Sequence, residues 1–261
     1  MDRSYWRQQT TDRPLFPELQ WSRPQNRNTS GKLLIVGGSL HGFNNVADAY
    51  GQSVKSGIGT ARVLLPDSLR KTVEKFFEGS EFAASTPSGS FSSESLAHLL
   101  ESSSWADIVL LAGDFGNNSE TVTMLEKFIS KYAGQLVIAG DSLDFFYTQP
   151  ELLLNRPLTT LVLDFNQLQK LITSAKFLLA LTSTMDLLHV VELLHEFNLK
   201  HPLSNLVLAS EGLVYVASSG EVSSTKLNAE SDRQQNYAAM AAVWWTQNPN
   251  KTFAALSSSL I

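Results

Sequence analysis

An α/β domain of three αβα layers, built on a mainly parallel sheet with a C-terminal hairpin, is predicted by three features of the sequence. Short apolar runs recur along the chain. Segments with apolar residues three or four apart separate them, and glycine-, serine- or aspartate-bearing turns follow the runs. This alternation is that of strands joined by helical crossovers, which cover both faces of a parallel sheet.

The elements follow in order. Residues 1–30 read as a polar N-terminal arm with no apolar stretch of the kind a secretory signal or anchor needs. Residues 31–261 read as one domain. Its first strand is expected at 33–36, where the apolar run breaks at Gly37-Gly38-Ser39, and a helix follows over 46–56. The second strand, 61–65, is preceded by Gly57 and Gly59, and Pro66-Asp67-Ser68 opens a helix over 68–77. The serine-rich stretch 85–95, with Pro87 and Gly89, reads as a flexible loop, and a helix follows over 93–102.

Further strands are expected at 108–112, 136–139, 161–163 and 206–208, with helices at 119–132, 165–172 and 185–198. Runs at 205–209 and 213–217 flank Ser210-Glu211-Gly212 and predict a hairpin. The small-residue segment 238–249 reads as a late helix, and Ser257 begins a serine run at a helix face or frayed end.

Composition narrows the function classes. The 261 residues include no cysteine, so disulfides, thiolate metal sites and cysteine nucleophiles are excluded. A formal charge of -5, with no basic cluster, argues against nucleic acid and acidic membranes as partners. No apolar run reaches the roughly 18 residues of a membrane-spanning helix, so a cytoplasmic protein is expected. His189 and His195 lie on different faces of one helix, so no metal site is expected. A Gly-x-Ser-x-Gly elbow is absent.

In open parallel sheets ligands sit beyond the carboxyl ends of the strands, which directs attention to the turns after each run. Gly37, Gly38 and Ser39 permit close backbone approach but carry neither a P-loop lysine nor a third dinucleotide-fold glycine. Asn44 and Asn45 follow them. Asp114, Gly116 and Asn117 either cradle a ligand or belong to the cap of the helix starting at Ser119. Asp141 is a cleft carboxylate or the cap of a short helix over 143–146, and Asp164 ends the strand at 161–163.

Taken in order, KLLIVGGS, SGIGTARVLLP, WADIVLLAGDFGNNSET, QLVIAGDSLDFF, TTLVLDFNQLQKL and NLVLASEGLVYV resemble the ADP-dependent NAD(P)H-hydrate dehydratase family, related to ribokinase-like carbohydrate kinases. The resemblance spans roughly residues 30–261. It implies a ribokinase-like αβα fold, ADP or ATP with Mg as cofactor, and repair of hydrated nicotinamide cofactors. Gly37, Gly38 and Ser39 match the family turn, Gly57 and Gly59 its Gly-x-Gly, and Asp141 the second aspartate of its strand-end pair.

Other motif positions depart from the family. Where it carries Gly-Pro-Gly-Leu-Gly, this chain has Ala112-Gly113-Asp114-Phe115-Gly116, with a carboxylate that would repel phosphate. Its Thr-Pro-His and Gly-Glu are missing from Val162-Leu163-Asp164-Phe165-Asn166-Gln167, Ala209-Ser210 replaces a Lys-Gly, and Asn44-Asn45 replaces a Gly-Ala pair. The family's Gly-Gly-Thr-Gly-Asp, which carries its catalytic aspartate, corresponds to Ser231-Asp232-Arg233-Gln234-Gln235.

Gln235 at the aspartate position is neither acid nor base. Asp232 is the carboxylate left to act as a relocated base, and Arg233 a potential phosphate ligand. The sequence thus points to a diverged, inactive family member that keeps a small-molecule or nucleotide cleft. Its alternatives are an active ADP/ATP-dependent dehydratase using Asp232, and a structural subunit, such as a homo-oligomer, assembling through the helices that carry Trp244 and Trp245.

Overall fold

The computed structural model describes residues 3–73, 76–77, 79–182, 185–226 and 233–261. Its strands are β1 (Trp6–Gln9), β2 (Lys32–Gly37), β3 (Thr60–Pro66), β4 (Ser80–Ala83), β5 (Ile108–Gly113), β6 (Gln135–Ile138), β7 (Thr159–Asp164), β8 (Ser204–Ser210), β9 (Leu213–Ser218) and β10 (Glu221–Lys226). The α-helices are α1 (Pro17–Trp21), α2 (Asn44–Lys55), α3 (Arg70–Val73), α4 (Ser95–Trp105), α5 (Ser119–Lys131), α6 (Glu151–Leu154), α7 (Phe165–Ser174), α8 (Leu187–Lys200), α9 (Gln234–Gln247) and α10 (Thr252–Ser258).

All ten strands form one sheet in the order β1-β10-β9-β8-β7-β6-β5-β2-β3-β4. The pairs are parallel except where β9 meets β8 and β10. Apart from β1 at the far edge, sequence order runs outward in both directions from the β2–β5 pair, so the topological switch lies there. That is where an open α/β sheet leaves a crevice at its carboxyl edge.

Alternation along the central strands divides the core in two. Leu34, Val36, Val109, Leu111, Leu136 and Ile138 pack with α4, α5, α7 and α8 residues on one face. Leu33, Ile35, Ile108, Leu110 and Val137 pack with α2, α9 and α10 on the other. The result is the expected three-layer, mainly parallel arrangement, with two buried side-chain sets of opposite parity.

Several elements differ from the sequence expectation. The first thirty residues contain β1 and α1, and β1 pairs in parallel with β10 at the sheet edge. Buried Gln9 holds that edge by donating from Nε2 to Thr225 Oγ1 (2.8 Å) and to the Ser257 carbonyl (2.6 Å). The C-terminal hairpin is a three-stranded meander because β10, too rich in serine for an apolar-run reading, is buried beneath α10. Ser223 and Ser257 join there through their hydroxyls (2.7 Å), so Ser257 to Ser259 form a buried seam rather than a frayed end.

The helix expected over 68–77 is a 3₁₀ turn over Asp67–Leu69 followed by α3, and β4 lies beyond it. Trp244 and Trp245 are both buried, Trp244 beneath the Arg23 guanidinium at 4.7 Å, so both rings serve core packing within the chain. Among the described residues no helix is long and apolar enough to cross a membrane.

Candidate functional site

At the switch point the end of β2 is drawn onto β5. Gly38, at φ 88°, donates its N–H to the Gly113 carbonyl (2.9 Å), and a side chain on Gly37 would run into that carbonyl and Val46. The first glycine pair therefore permits two strand ends to close on each other, where the β2–β5 register shifts. Beyond it, Ser39 and Gly42 exchange backbone hydrogen bonds (2.9 and 3.0 Å), making a tight turn.

The serine-rich stretch packs on that turn and is not the flexible loop its composition predicts. Leu40 N–H and Ser68 Oγ both donate to the Gly89 carbonyl at 2.9 Å. Thr86, Ser90, Ser92 and Ser95 are buried, and the Phe91 ring sits 5.7 Å from Phe115. Short hydroxyls satisfy the backbone of a loop that composition alone marks as loose. Beneath it, Gly116, at φ 70°, has no side chain to contest the space beside Ser39 and Ser90.

The turn after β5 carries the densest polar arrangement. Gly113 stands at φ 104°, and a Cβ there would meet Asp141 Oδ1 at 2.5 Å and Asn45 Nδ2 at 3.0 Å. Asp114 follows at φ 62°, a left-handed conformation that aspartate tolerates better than most side chains. Its N–H donates to Asp141 Oδ1 (2.7 Å), while its own Oδ2 accepts the N–H of Asn45 (2.7 Å) in the first turn of α2. Phe43, the residue capping α2, provides no side-chain cap of its own. Asp114 therefore caps α2 from a distant strand end.

Burial pushes the Asp114 carboxyl above the ordinary carboxylate range, the Asn45 N–H opposes this, and the Asp48 charge adds to it. Asp141 is raised for the same first reason, with the Asp114 N–H opposing and the Asp114 charge adding. The carboxylate of Asp141 thus braces the β5 turn, and the 3₁₀ segment Gly140–Phe146 begins without a side-chain cap.

A second set of contacts seats the N-terminus of α9. Gln234 Nε2 donates to the Val162 carbonyl and to Gln167 Oε1, each at 2.5 Å. Gln167 Nε2 in turn donates to the Gly140 carbonyl (2.9 Å), and Asp164 forms a reciprocal capping box with Gln167 on α7. A side chain on Gly140 would approach Gln235 Nε2 at 3.2 Å and Asn45 Nδ2 at 3.5 Å, placing Gln235 over the same crevice. Arg233 pairs with Asp48 (2.5 Å) across the mouth, from α9 to α2.

Gly37, Gly38, Asn45, Asp114, Asp141 and Gln235 are thus brought together, while Ser39 and Gly116 form the wall under the 85–95 loop. Asn44 and Asn117 point outward as exposed residues, and the cap of α5 is Asn118, whose Oδ1 accepts from Glu120 and Thr121. The carboxylate of Asp164 is committed to the Gln167 N–H (2.8 Å). Ser231 and Asp232 lie outside the described residues.

Asp48 and Gln167 join the site without having been singled out. The Asp-x-x-Gln spacing from Asp164 to Gln167 is a capping-box signature that could have exposed the second. Among the described residues, no three His, Asp or Glu side chains gather as a metal site.

No family model matches the chain. Over 124 residues it is 29% identical to the bifunctional NAD(P)H-hydrate repair enzyme Nnr of Methanocaldococcus jannaschii. That match takes in 45% of this chain and only 23% of the archaeal protein.

Among solved structures, a ribokinase-like superfamily protein from Enterococcus faecalis superposes with a TM-score of 0.71 at 15% identity, covering 99% of this chain and 87% of that one. The ADP/ATP-dependent NAD(P)H-hydrate dehydratase of Bacillus subtilis, co-crystallised with ATP and Mg²⁺, gives 0.61 at 9% identity, covering 95% and 86%. The chain therefore has the ribokinase-like three-layer αβα fold, and part of its sequence is similar to an NAD(P)H-hydrate repair enzyme.

Proposed function

We propose that the chain is a diverged, noncatalytic relative of the NAD(P)H-hydrate dehydratases whose cleft holds a small molecule without turning it over. The observation that carries this reading is how the crevice is furnished. Where acid–base chemistry would need a titratable group at the head of α9, Gln235 presents an amide. Beside it, Gln234 is spent on the Val162 carbonyl and Gln167.

A nucleotide with Mg²⁺, as in the Bacillus subtilis structure, fits the described residues poorly. Asp48, Asp114 and Asp141 gather at the crevice, and Arg233, the cation beside them, is already paired with Asp48. A polyphosphate would meet net negative charge and an α2 amide that is already occupied. Asparagine and glutamine amides, glycine carbonyls and carboxyls with raised proton affinity suit an uncharged, hydrogen-bonding ligand better. A cytoplasmic setting belongs to the same proposal.

The test is direct. Purified protein is given hydrated NADH with ADP or ATP and Mg²⁺, and dehydration is followed by absorbance alongside thermal unfolding. The expected result is no turnover and no nucleotide-dependent rise in Tm. Turnover that disappears in Asp232→Ala overturns the proposal and assigns the base to Asp232.

A further inference from the structure

We propose that a cavity between the head of α8 and the β8–β9 turn binds a small primary alkylammonium ion, with the Tyr215 hydroxyl and the Glu211 carboxylate as the groups that recognise it. This site lies apart from the crevice at β2–β5, with β7 and β6 between them, and does not depend on the noncatalytic reading.

The cavity has a volume of 130 Å³, room for about four water molecules at about 30 Å³ each. Its apolar walls come from Phe165 in the first turn of α7, Leu187 and Val190 on α8, and Leu213 on β9. Leu213 and Tyr215, two residues apart, share the face of β9 that packs with α8. Asp186 and Glu211 add two carboxylates, and no lysine or arginine of the described residues lines the space. Lys226 stands opposite Leu213 on β10 but is exposed.

Tyr215 is the residue that points to a ligand. It is only 4% exposed, and among the described residues its hydroxyl has no hydrogen-bond partner. Native chains keep few such groups, because an unpaired buried hydroxyl has lost its water without replacement. Here the orphan belongs to a residue lining a cavity, so an entering molecule can complete it. Burial, and then the Glu211 charge, push this hydroxyl above its ordinary range, so it stays neutral and its oxygen can accept.

The two carboxylates differ. Asp186 Oδ1 is spent on the head of α8, accepting the His189 N–H (3.0 Å) and meeting His189 Nδ1 at 2.8 Å. The Glu211 carboxylate makes no hydrogen bond or ion pair among the described residues. An ammonium head has donors for both Glu211 and the Tyr215 oxygen, and the Phe165 and Tyr215 rings favour a cation beside them. A short alkyl tail suits the leucine and valine walls. An anion would meet two like charges, and a neutral molecule would leave Glu211 unpaired.

The experiment titrates propylammonium chloride into protein carrying carbon-13 methionine methyl groups, with n-propanol and potassium chloride as controls at constant ionic strength. Met185 lines the cavity, while Met124 is buried in the core and serves as the internal reference. Glu211→Gln and Tyr215→Phe are titrated in the same way, after thermal unfolding shows that each is folded.

The Met185 methyl resonance of wild type is expected to shift saturably with propylammonium, at a Kd of roughly 1–10 mM for so small a ligand, and not with either control. Each variant should bind about threefold or more weakly, since each loses one hydrogen-bonding partner of the ammonium. A Met185 resonance that propylammonium leaves in place overturns the proposal. So does an n-propanol titration with the same midpoint, or a folded variant of either kind that binds as wild type does.

Discussion

Gly113→Ala tests the geometry of the cleft most sharply. The new Cβ would lie 2.5 Å from Asp141 Oδ1 and 3.0 Å from Asn45 Nδ2, at a φ of 104° that alanine rarely adopts. Backbone strain of this kind costs about 1–3 kcal/mol. Moving the Asp141 carboxylate aside breaks its bond to the Asp114 N–H (2.7 Å), and hydrogen bonds to charged groups contribute about 1.5–3 kcal/mol.

The sum is about 2.5–6 kcal/mol. With an unfolding entropy of about 2.1 cal/mol/K per residue, the chain's Tm should fall by roughly 5–10 °C. Gly212→Ala is the control, because Gly212 also has positive φ, 73°, but nothing within 4 Å of its added Cβ. Only strain remains there, about 1 kcal/mol and roughly 2 °C. Scanning calorimetry of both variants decides the matter. If the two lose the same Tm, or Gly113→Ala stays within about 2 °C of wild type, the crowding at Asp141 is not real.

Other outcomes follow from the same contacts. Asp114 and Asp141 have raised carboxyl pKa values in the folded state, so the stability they contribute is complete below the unfolded range and is lost as pH rises through the folded values. Asp114→Asn should therefore gain Tm relative to wild type as pH rises above about 4, and parallel curves would contradict the assignment. Arg156, buried with no acidic partner among the described residues, donates to the Tyr132 (2.5 Å) and Gly134 (2.8 Å) carbonyls and to Thr159 Oγ1 (2.9 Å). Arg156→Met should cost roughly 2–4 kcal/mol in urea unfolding, since those acceptors are left unmet. Removing residues 3–9 should uncover the β10 edge and orphan Thr225, lowering Tm and producing larger species by light scattering.

The central strands were legible because β2, β5, β6, β7 and β8 are buried on both faces and so appear as unbroken apolar runs. The edge was not legible for the converse reason. β1 and β10 are polar in sequence: β1 becomes a strand only by pairing with β10, and β10 is held by β9 and by the Ser223–Ser257 and Gln9–Thr225 bonds. Local pattern cannot report a partner more than two hundred residues away.

The site divides in the same manner. Turns after strands located Gly37, Gly38, Asp114 and Asp141, since chain direction alone puts them at one end of the sheet. That Asp114 would reach Asn45, or that Gln167 would link Gly140 to Gln234, depends on how α2, α7 and α9 converge, which no spacing encodes. The serine-rich loop misled because composition counts hydroxyls as signs of solvation, whereas there they replace water as partners of buried backbone.

The pairing of β1 with β10 also orders events in time. Residues 6–9 are made well before their hydrogen-bonding partners at 222–225. Until then β1 lacks its partner, while the β2–β5 centre joins segments much closer in the chain, with Leu33 opposite Ile108. Sealing the sheet at its far edge therefore closes a loop of over two hundred residues, whose entropic cost grows only slowly with length.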